Sequence, residues 1–323
     1  MINQPSSCPI CGRTANFKLI QSHQTGGVSY FLYQCFLCQV GHWQPFKNPG
    51  SDWYEQDERY SGINSQPFLD VKPGQKLLLN QLKPGKLFDI GCGSGNFLAY
   101  AKKMGWDVGG IDFDRNAIAA AQNVFGLSDV EVSDLEGYCR RHSNNKFDLV
   151  TFFDVFEHID NHQEFIDYVR GLVTSGGRLA MTLPYGGAWR CLVPHDLPPR
   201  HLTRWTDVAL KKYLEDRGWV VEQIVKEPAT LEYLLMKIRF RYGRRFSFGL
   251  VKKISNQDKK NNPVKNQVVA GKKNKISLSP LVARAARLKD WILFGLPALA
   301  LWVVLLLSEK RYVGMFLVAK TIV

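Results

Sequence analysis

The spacing of apolar and polar positions divides the chain into stretches of different rhythm. Alternation around Val28 to Tyr33 predicts a short β-ribbon near the amino terminus. A connection rich in Pro, Gly, Asn and Ser follows from Asn48 to Gly74, and a helix is predicted around Gln75 to Leu82, between Pro73-Gly74 and Pro84-Gly85. From Lys86 short apolar runs trade places with helical periods. Strands are predicted at Leu87 to Ile90, Asp107 to Asp112, near Val130, Phe147 to Phe153 and Arg178 to Leu183. Helices are predicted at Asn96 to Met104, Arg115 to Phe125, before Arg141, and at Gln163 to Val173. Such alternation predicts an α/β, doubly wound fold, a parallel sheet with helices on both faces.

Thr206 to Arg217 adds a helix that a threonine can cap and Gly218 ends, followed by the strand Trp219 to Val225. There the rhythm breaks. Residues 291–307 are then 17 uncharged, mostly apolar residues interrupted by Gly295 and Pro297, and Tyr312 to Ala319 reads as one more strand. The expected organisation is a ribbon (1–46), a linker with a leading helix (47–85), an α/β core (86–235), a basic insertion (236–290), an apolar segment (291–307) and a last strand (308–323).

Composition changes this picture at one place. With 45% hydrophobic and 12% aromatic residues, wholesale disorder is excluded. The net charge of +13 is concentrated: Lys237 to Asp290 holds 16 Lys/Arg and 2 Asp/Glu, leaving 26 basic and 27 acidic residues elsewhere. Within it, Asn256 to Lys275 is of low complexity and reads as a flexible loop.

Seven cysteines include the pairs Cys8-Pro9-Ile10-Cys11 and Cys35-Phe36-Leu37-Cys38, separated by 23 residues. Two such knuckles on a returning ribbon complete a tetrahedral four-thiolate site, so Cys8, Cys11, Cys35 and Cys38 are the expected ligands of a structural zinc ion. The pattern, with no apolar leader within Met1 to Cys11, predicts a reducing, cytoplasmic setting. Cys92, Cys139 and Cys191 lack partner spacing and read as ordinary thiols.

The loop Asp89-Ile90-Gly91-Cys92-Gly93-Ser94-Gly95 stands between a predicted strand and a predicted helix. Its glycines let backbone approach a ligand. A dinucleotide loop needs a sixth-position glycine, and Asn96 stands there. With Gly110-Ile111-Asp112, Ser133-Asp134 and Phe147-Asp148-Leu149-Val150, this loop resembles those of class I S-adenosylmethionine-dependent methyltransferases over about residues 86–225 and the last strand. The resemblance implies a Rossmann-like, mostly parallel seven-stranded sheet whose final strand is inserted beside the sixth. It also implies roles for Asp89 toward the cofactor's methionine amine, Asp112 toward both ribose hydroxyls and Asp134 toward the adenine amine, with Gly91, Gly93 and Gly95 beneath the cofactor and Asp154 beside it. As single residues, each of these carboxylates also suits a turn or a helix cap.

Phe153-Asp154-Val155-Phe156-Glu157-His158 resembles the corresponding segment of small-molecule methyltransferases, including the ubiquinone O-methylating group. His158 is a candidate general base there, although methyl transfer from a sulfonium can proceed by positioning alone. His195-Asp196-Leu197-Pro198-Pro199-Arg200-His201-Leu202-Thr203-Arg204-Trp205 resembles a segment common to ribbon-bearing bacterial methyltransferases and is the expected substrate lid, with His201 the stronger candidate for contact. Similar ribbons occur in deoxysugar C-methyltransferases, but the further carboxyl-terminal domain those carry has no counterpart in this sequence.

A hydropathy criterion marks residues 291–307 as a transmembrane helix, slightly short for a straight span. A last strand that rejoins the cytoplasmic sheet favours a re-entrant or interfacial element instead, its basic neighbour drawn to an anionic membrane surface. The competing reading is an apolar helix packed on the domain or at a dimer interface, beside an ordinary solvated lysine loop. The expected acceptor is therefore a small-molecule, lipid-linked or glycan-related compound. A nucleic-acid acceptor is disfavoured because Asp154-Val155-Phe156-Glu157 replaces the Asn-Pro-Pro-Tyr type of tetrad, and a non-catalytic scaffold is disfavoured by the intact acidic and glycine positions.

Overall fold

A computed structural model describes residues 5–50, 53, 71–187, 196–238 and 294–322. The chain divides into two compact units, one of residues 1–188, 194–227 and 312–323, the other of residues 189–193 and 228–311.

The first unit contains a seven-stranded sheet. Its strands are β4 (Lys86–Ile90), β5 (Asp107–Asp112), β6 (Val130–Val132), β7 (Phe147–Phe153), β8 (Val173–Pro184), β10 (Trp219–Pro228) and β11 (Tyr312–Thr321), in the order β10-β11-β8-β7-β4-β5-β6. Strands β4 to β8 run parallel, and β11 pairs antiparallel with β8 from Gly314↔Pro184 to Lys320↔Arg178. The last strand thus inserts beside the sixth, as the resemblance implied. The order reverses at β4, flanked by β5 and β7, which opens a crevice at the carboxyl ends of these strands.

Helices cover both faces. On one, α1 (Pro73–Gln81), α2 (Asn96–Lys103) and α3 (Arg115–Phe125) bury Leu78, Leu98, Ala101 and Ile118 against the sheet. On the other, α4 (Leu135–Arg141), α5 (His162–Leu172) and α6 (Asp207–Glu215) bury Tyr138, Ile166, Val169 and Leu210. The capping threonine behaves as expected: Thr206 accepts from Ala209 N.

A second sheet of four strands, β1 (Phe17–Thr25), β2 (Val28–Cys35), β3 (Gly41–Gln44) and β9 (Thr203–Arg204), is antiparallel throughout. Only Val28 to Tyr33 of β2 was legible as alternation. The fourth strand comes from the lid segment, so the ribbon is closed by a piece of the α/β chain. Its apolar side, Ile10, Phe17 and Tyr33, belongs to the same core as α5 and α6.

In the second unit, residues 231–238 (α7) and 294–306 (α8) are helical, Ala229 N donates to Arg311 O, and Trp302 Nε1 donates to Ala229 O. Leu296, Val303, Val304 and Leu307 are exposed. Among the described residues no helix is long and apolar enough to cross a membrane, so the transmembrane expectation for residues 291–307 is not met. The apolar helical stretch that is described, 294–306, is too short for a span. Residues 291–293, His195, Cys191 and residues 239–290 of the basic segment lie outside the described residues.

Phe156 forms the hub between the sheet and the lid, fully buried with Phe165, His162, Trp205 and Tyr213 around it. Phe156→Ala is expected to lower unfolding free energy by about 3–5 kcal/mol in a urea titration, the usual loss for truncating a buried Phe.

Candidate active site

The donor side is built at the end of β4. Asp89 is buried on that strand and its Oδ1 accepts from Thr151 Oγ1 at 2.6 Å. Burial pushes its carboxyl up to about 7, against the hydrogen bond from Thr151. The following loop turns back on itself: Gly91 N and Cys92 N donate to Ile111 O, and Gly95 N donates to Cys92 O. Two glycines are irreplaceable by space as well as conformation. A Cβ on Gly91 (φ 75°) would stand 2.7 Å from Val155 Cγ2, and one on Gly95 (φ 79°) 2.6 Å from Leu127 Cδ1. Gly91 is therefore where the glycine loop touches the loop after β7.

Asp112 ends β5 and is nine-tenths buried; its Oδ2 accepts from Gly93 N at 2.8 Å and its Oδ1 from Asp114 N at 2.9 Å. These bonds fix the carboxylate at the end of β5, with one oxygen turned to the glycine loop and the other to the start of α3. Burial raises its pKa. Asp134 is the N-cap of α4, accepting from Gly137 N, and stands beside Asp112 through the Ser133 N to Asp112 O bond. The cap reading of Asp134 is thus realised, on a residue that is itself exposed.

Asp154 follows β7 with φ 56°; its Oδ1 accepts from Thr182 Oγ1 and its Oδ2 pairs with Lys72 Nζ at 2.7 Å. Lys72, in the linker ahead of α1, was not singled out by any motif; only the fold brings it here.

The loop then forms a 3-10 turn, Phe156–His158, and places Glu157, His158 and His201 together. Glu157 is 1% exposed, and neither carboxyl oxygen has a hydrogen-bond partner among the described residues. Its Oε1 lies 3.9 Å from His158 Nε2 and 3.8 Å from His201 Nε2. The imidazoles meet edge to face with centroids 4.7 Å apart. His158 Nδ1 donates to Arg200 O at 2.9 Å, a bond that puts its lone pair on Nε2. Burial pushes Glu157 well up and His158 down.

The lid is stitched to this turn and to the ribbon. Leu202 N donates to Glu157 O at 2.8 Å, while Trp43 N of β3 donates to Leu202 O at 2.9 Å. Beyond β3, Asn48 Nδ2 donates to His158 O, and Lys47 pairs with Asp160. These ties were invisible in the sequence, where ribbon and lid are about 160 residues apart.

At the far end of the ribbon the sulfurs of Cys8, Cys11, Cys35 and Cys38 lie within 4.8 Å of one another, Cys8 and Cys38 at 3.7 Å. Tetrahedral zinc with bonds of about 2.3 Å holds its sulfurs about 3.8 Å apart. The donor set fits such an ion. Cys92 is buried and Cys139 half-buried, without partner cysteines.

A sheet of this order, with an acidic strand end, a glycine loop and a carboxylate at the next strand end in register, is the arrangement of class I S-adenosylmethionine-dependent methyltransferases. Residues 67–224 match the family model described as a methyltransferase domain. A ubiquinone biosynthesis O-methyltransferase of Rickettsia typhi is 25% identical over 125 residues, covering 38% of this chain and 51% of that protein. A ribosomal RNA small subunit methyltransferase C of Alcanivorax borkumensis is 27% identical over 156 residues, 46% of this chain and 45% of its own. The chain spans about half the length of the curated relatives it matches. Among solved structures, the [4+2]-cyclase SpnF aligns over 86% of this chain and 99% of its own with a TM-score of 0.51 and 15% identity, a likeness of fold alone.

The carboxylates give a pH signature. With its pKa raised from 3.8 to about 7, Asp89 holds a proton below neutrality, and a cofactor ammonium favours the ionised form. Affinity for S-adenosylhomocysteine, measured by calorimetry, is expected to fall as pH drops below about 7, by up to about tenfold per unit, and to lose this dependence in Asp89→Asn. Asp112→Ala is expected to weaken the same binding about 10- to 100-fold, for lost hydrogen bonds to a charged group of about 1.5–3 kcal/mol.

Proposed function

We propose that this protein transfers a methyl group from S-adenosylmethionine to a hydroxyl of a small-molecule acceptor, lipid-linked or glycan-related, close to a membrane surface. The observation that carries the reading is the convergence of Glu157, His158 and His201 on the loop that Gly91 touches through Val155. In the transfer, the acceptor oxygen's lone pair forms the new bond to the methyl carbon as the carbon–sulfur bond breaks. That bond's electron pair returns to sulfur, giving S-adenosylhomocysteine, and the acceptor's proton passes to water beside the Glu157–His158–His201 cluster. Asp89, Asp112, Asp134 and Asp154, with Gly91, Gly93 and Gly95, hold the donor so that the methyl faces that cluster. Positioning of this kind supplies much of the rate in a one-step displacement.

The ubiquinone O-methyltransferase relatives support an oxygen acceptor, and the exposed apolar residues of α8 beside a strongly basic segment support the membrane surface. The four cysteines are proposed to bind one structural zinc ion that fixes the ribbon. The relative that acts on ribosomal RNA favours a second reading, in which the ribbon and the basic segment bind RNA phosphates.

Transfer of labelled methyl into host extracts, separated into lipid, glycan, RNA and protein fractions, tests the reading. Label in the lipid or glycan fraction is expected; label in RNA establishes the second reading. Native mass spectrometry is expected to find one zinc per chain, lost in Cys35→Ser, and a metal-free wild type would remove the zinc assignment.

A further inference from the structure

We infer that Glu157, His158 and His201 form a second metal site, which takes a divalent transition-metal ion such as Mn2+ or Fe2+ and is distinct from the four cysteines. One carboxylate and two imidazoles present ligand atoms within 4.8 Å of one another, with Glu157 Oε1 at 3.9 and 3.8 Å from the two Nε2 atoms. An ion with bonds of about 2.0–2.2 Å draws such donors together by a few tenths of an ångström each.

The carboxylate is the strongest single indication. Both oxygens of Glu157 are sealed from solvent and, among the described residues, from hydrogen-bond donors, a state that disfavours the ionised carboxyl unless a cation compensates it. Lys72, whose charge reaches Glu157, is already held by Asp154. A divalent cation between the carboxylate and the imidazoles supplies the missing charge.

The surroundings have the form of a built site. His158 Nδ1 donates to Arg200 O, the outer contact that orients a ligating imidazole and directs Nε2 inward. Leu202 N to Glu157 O fixes the main chain of one ligand next to that of another, and Trp43 N to Leu202 O ties both to the ribbon. Asn48 Nδ2 holds the His158 carbonyl from the other side. Each ligand is thus anchored through its backbone before any ion arrives.

Two His and one carboxylate leave coordination positions open. On the methyl-transfer reading, on which this part rests, those positions take two neighbouring oxygens of the acceptor, as in a vicinal diol or a hydroxyl next to a carbonyl. The bound hydroxyl gives its proton to water, and its oxygen then attacks the methyl as described above. The imidazoles act as ligands and not as bases.

Titration of the full-length protein with Mn2+, read from the loss of the free-ion paramagnetic resonance signal, tests the site. Mn2+ disfavours the all-thiolate cluster, so ribbon cysteines do not compete. One ion per chain is expected in the wild type, with binding at least about tenfold weaker in His201→Ala and in Glu157→Gln, and partly retained in Glu157→Asp. Calorimetry with S-adenosylhomocysteine on the same samples establishes that each variant is folded. No Mn2+ bound by wild type up to millimolar concentration, or undiminished binding in folded His201→Ala and Glu157→Gln, overturns the inference. Failure to bind S-adenosylhomocysteine in the wild type would instead remove the methyl-transfer reading and leave the metal result standing.

Discussion

The Glu157–His158–His201 cluster hangs on a short relay of main-chain hydrogen bonds through Leu202. Its N–H is given to Glu157 and its carbonyl accepts from Trp43, so one residue of the lid joins the turn after β7 to the ribbon. Individually each bond contributes about 1 kcal/mol, but both are buried, and leaving one unmade costs more than making it gains. The consequence is positional. His201 precedes this residue and Thr203 follows it in β9, so the histidine stands where the ribbon sheet sets it.

Donor and acceptor sides are held in different ways. On the donor side the parallel sheet does the work: β4 and β5 end together, and the glycine loop folds onto the strand end of β5 through Gly93 N and Asp112. On the acceptor side no strand of the large sheet supplies Glu157, His158 or His201. They sit on a 3-10 turn and a lid held by a small antiparallel sheet. The two sides meet at the contact between Gly91 and Val155, which only a glycine permits.

The donor half was legible in the sequence because local periodicity and strand ends determine it. Asp89, the three glycines and Asp112 stand where alternation and motif placed them, and Asp134 turned out also to cap α4. The acceptor half was legible only as parts. Glu157 stood out only as part of the segment after β7, because nothing in a pattern reveals that both its oxygens are buried with no hydrogen-bond partner among the described residues. Lys72 and Asn48 carried no signal, since their partners are 82 and 110 residues away. The ribbon showed its cysteines and one strand; β9 could not be seen, because a two-residue strand has no periodicity. At 291–307 the hydropathy reading rested on composition over 17 residues, whereas the helix among the described residues there, 294–306, is shorter than a span needs.

On the proposed function, the glycine loop and the Glu157–His158–His201 cluster form one site. A crystal structure with S-adenosylhomocysteine bound is expected to show the amino group on Asp89, the ribose hydroxyls on Asp112, and the sulfur facing Glu157, His158 and His201 across a gap that fits an acceptor oxygen. A sulfur turned away from that cluster, or the ligand bound elsewhere, would contradict it.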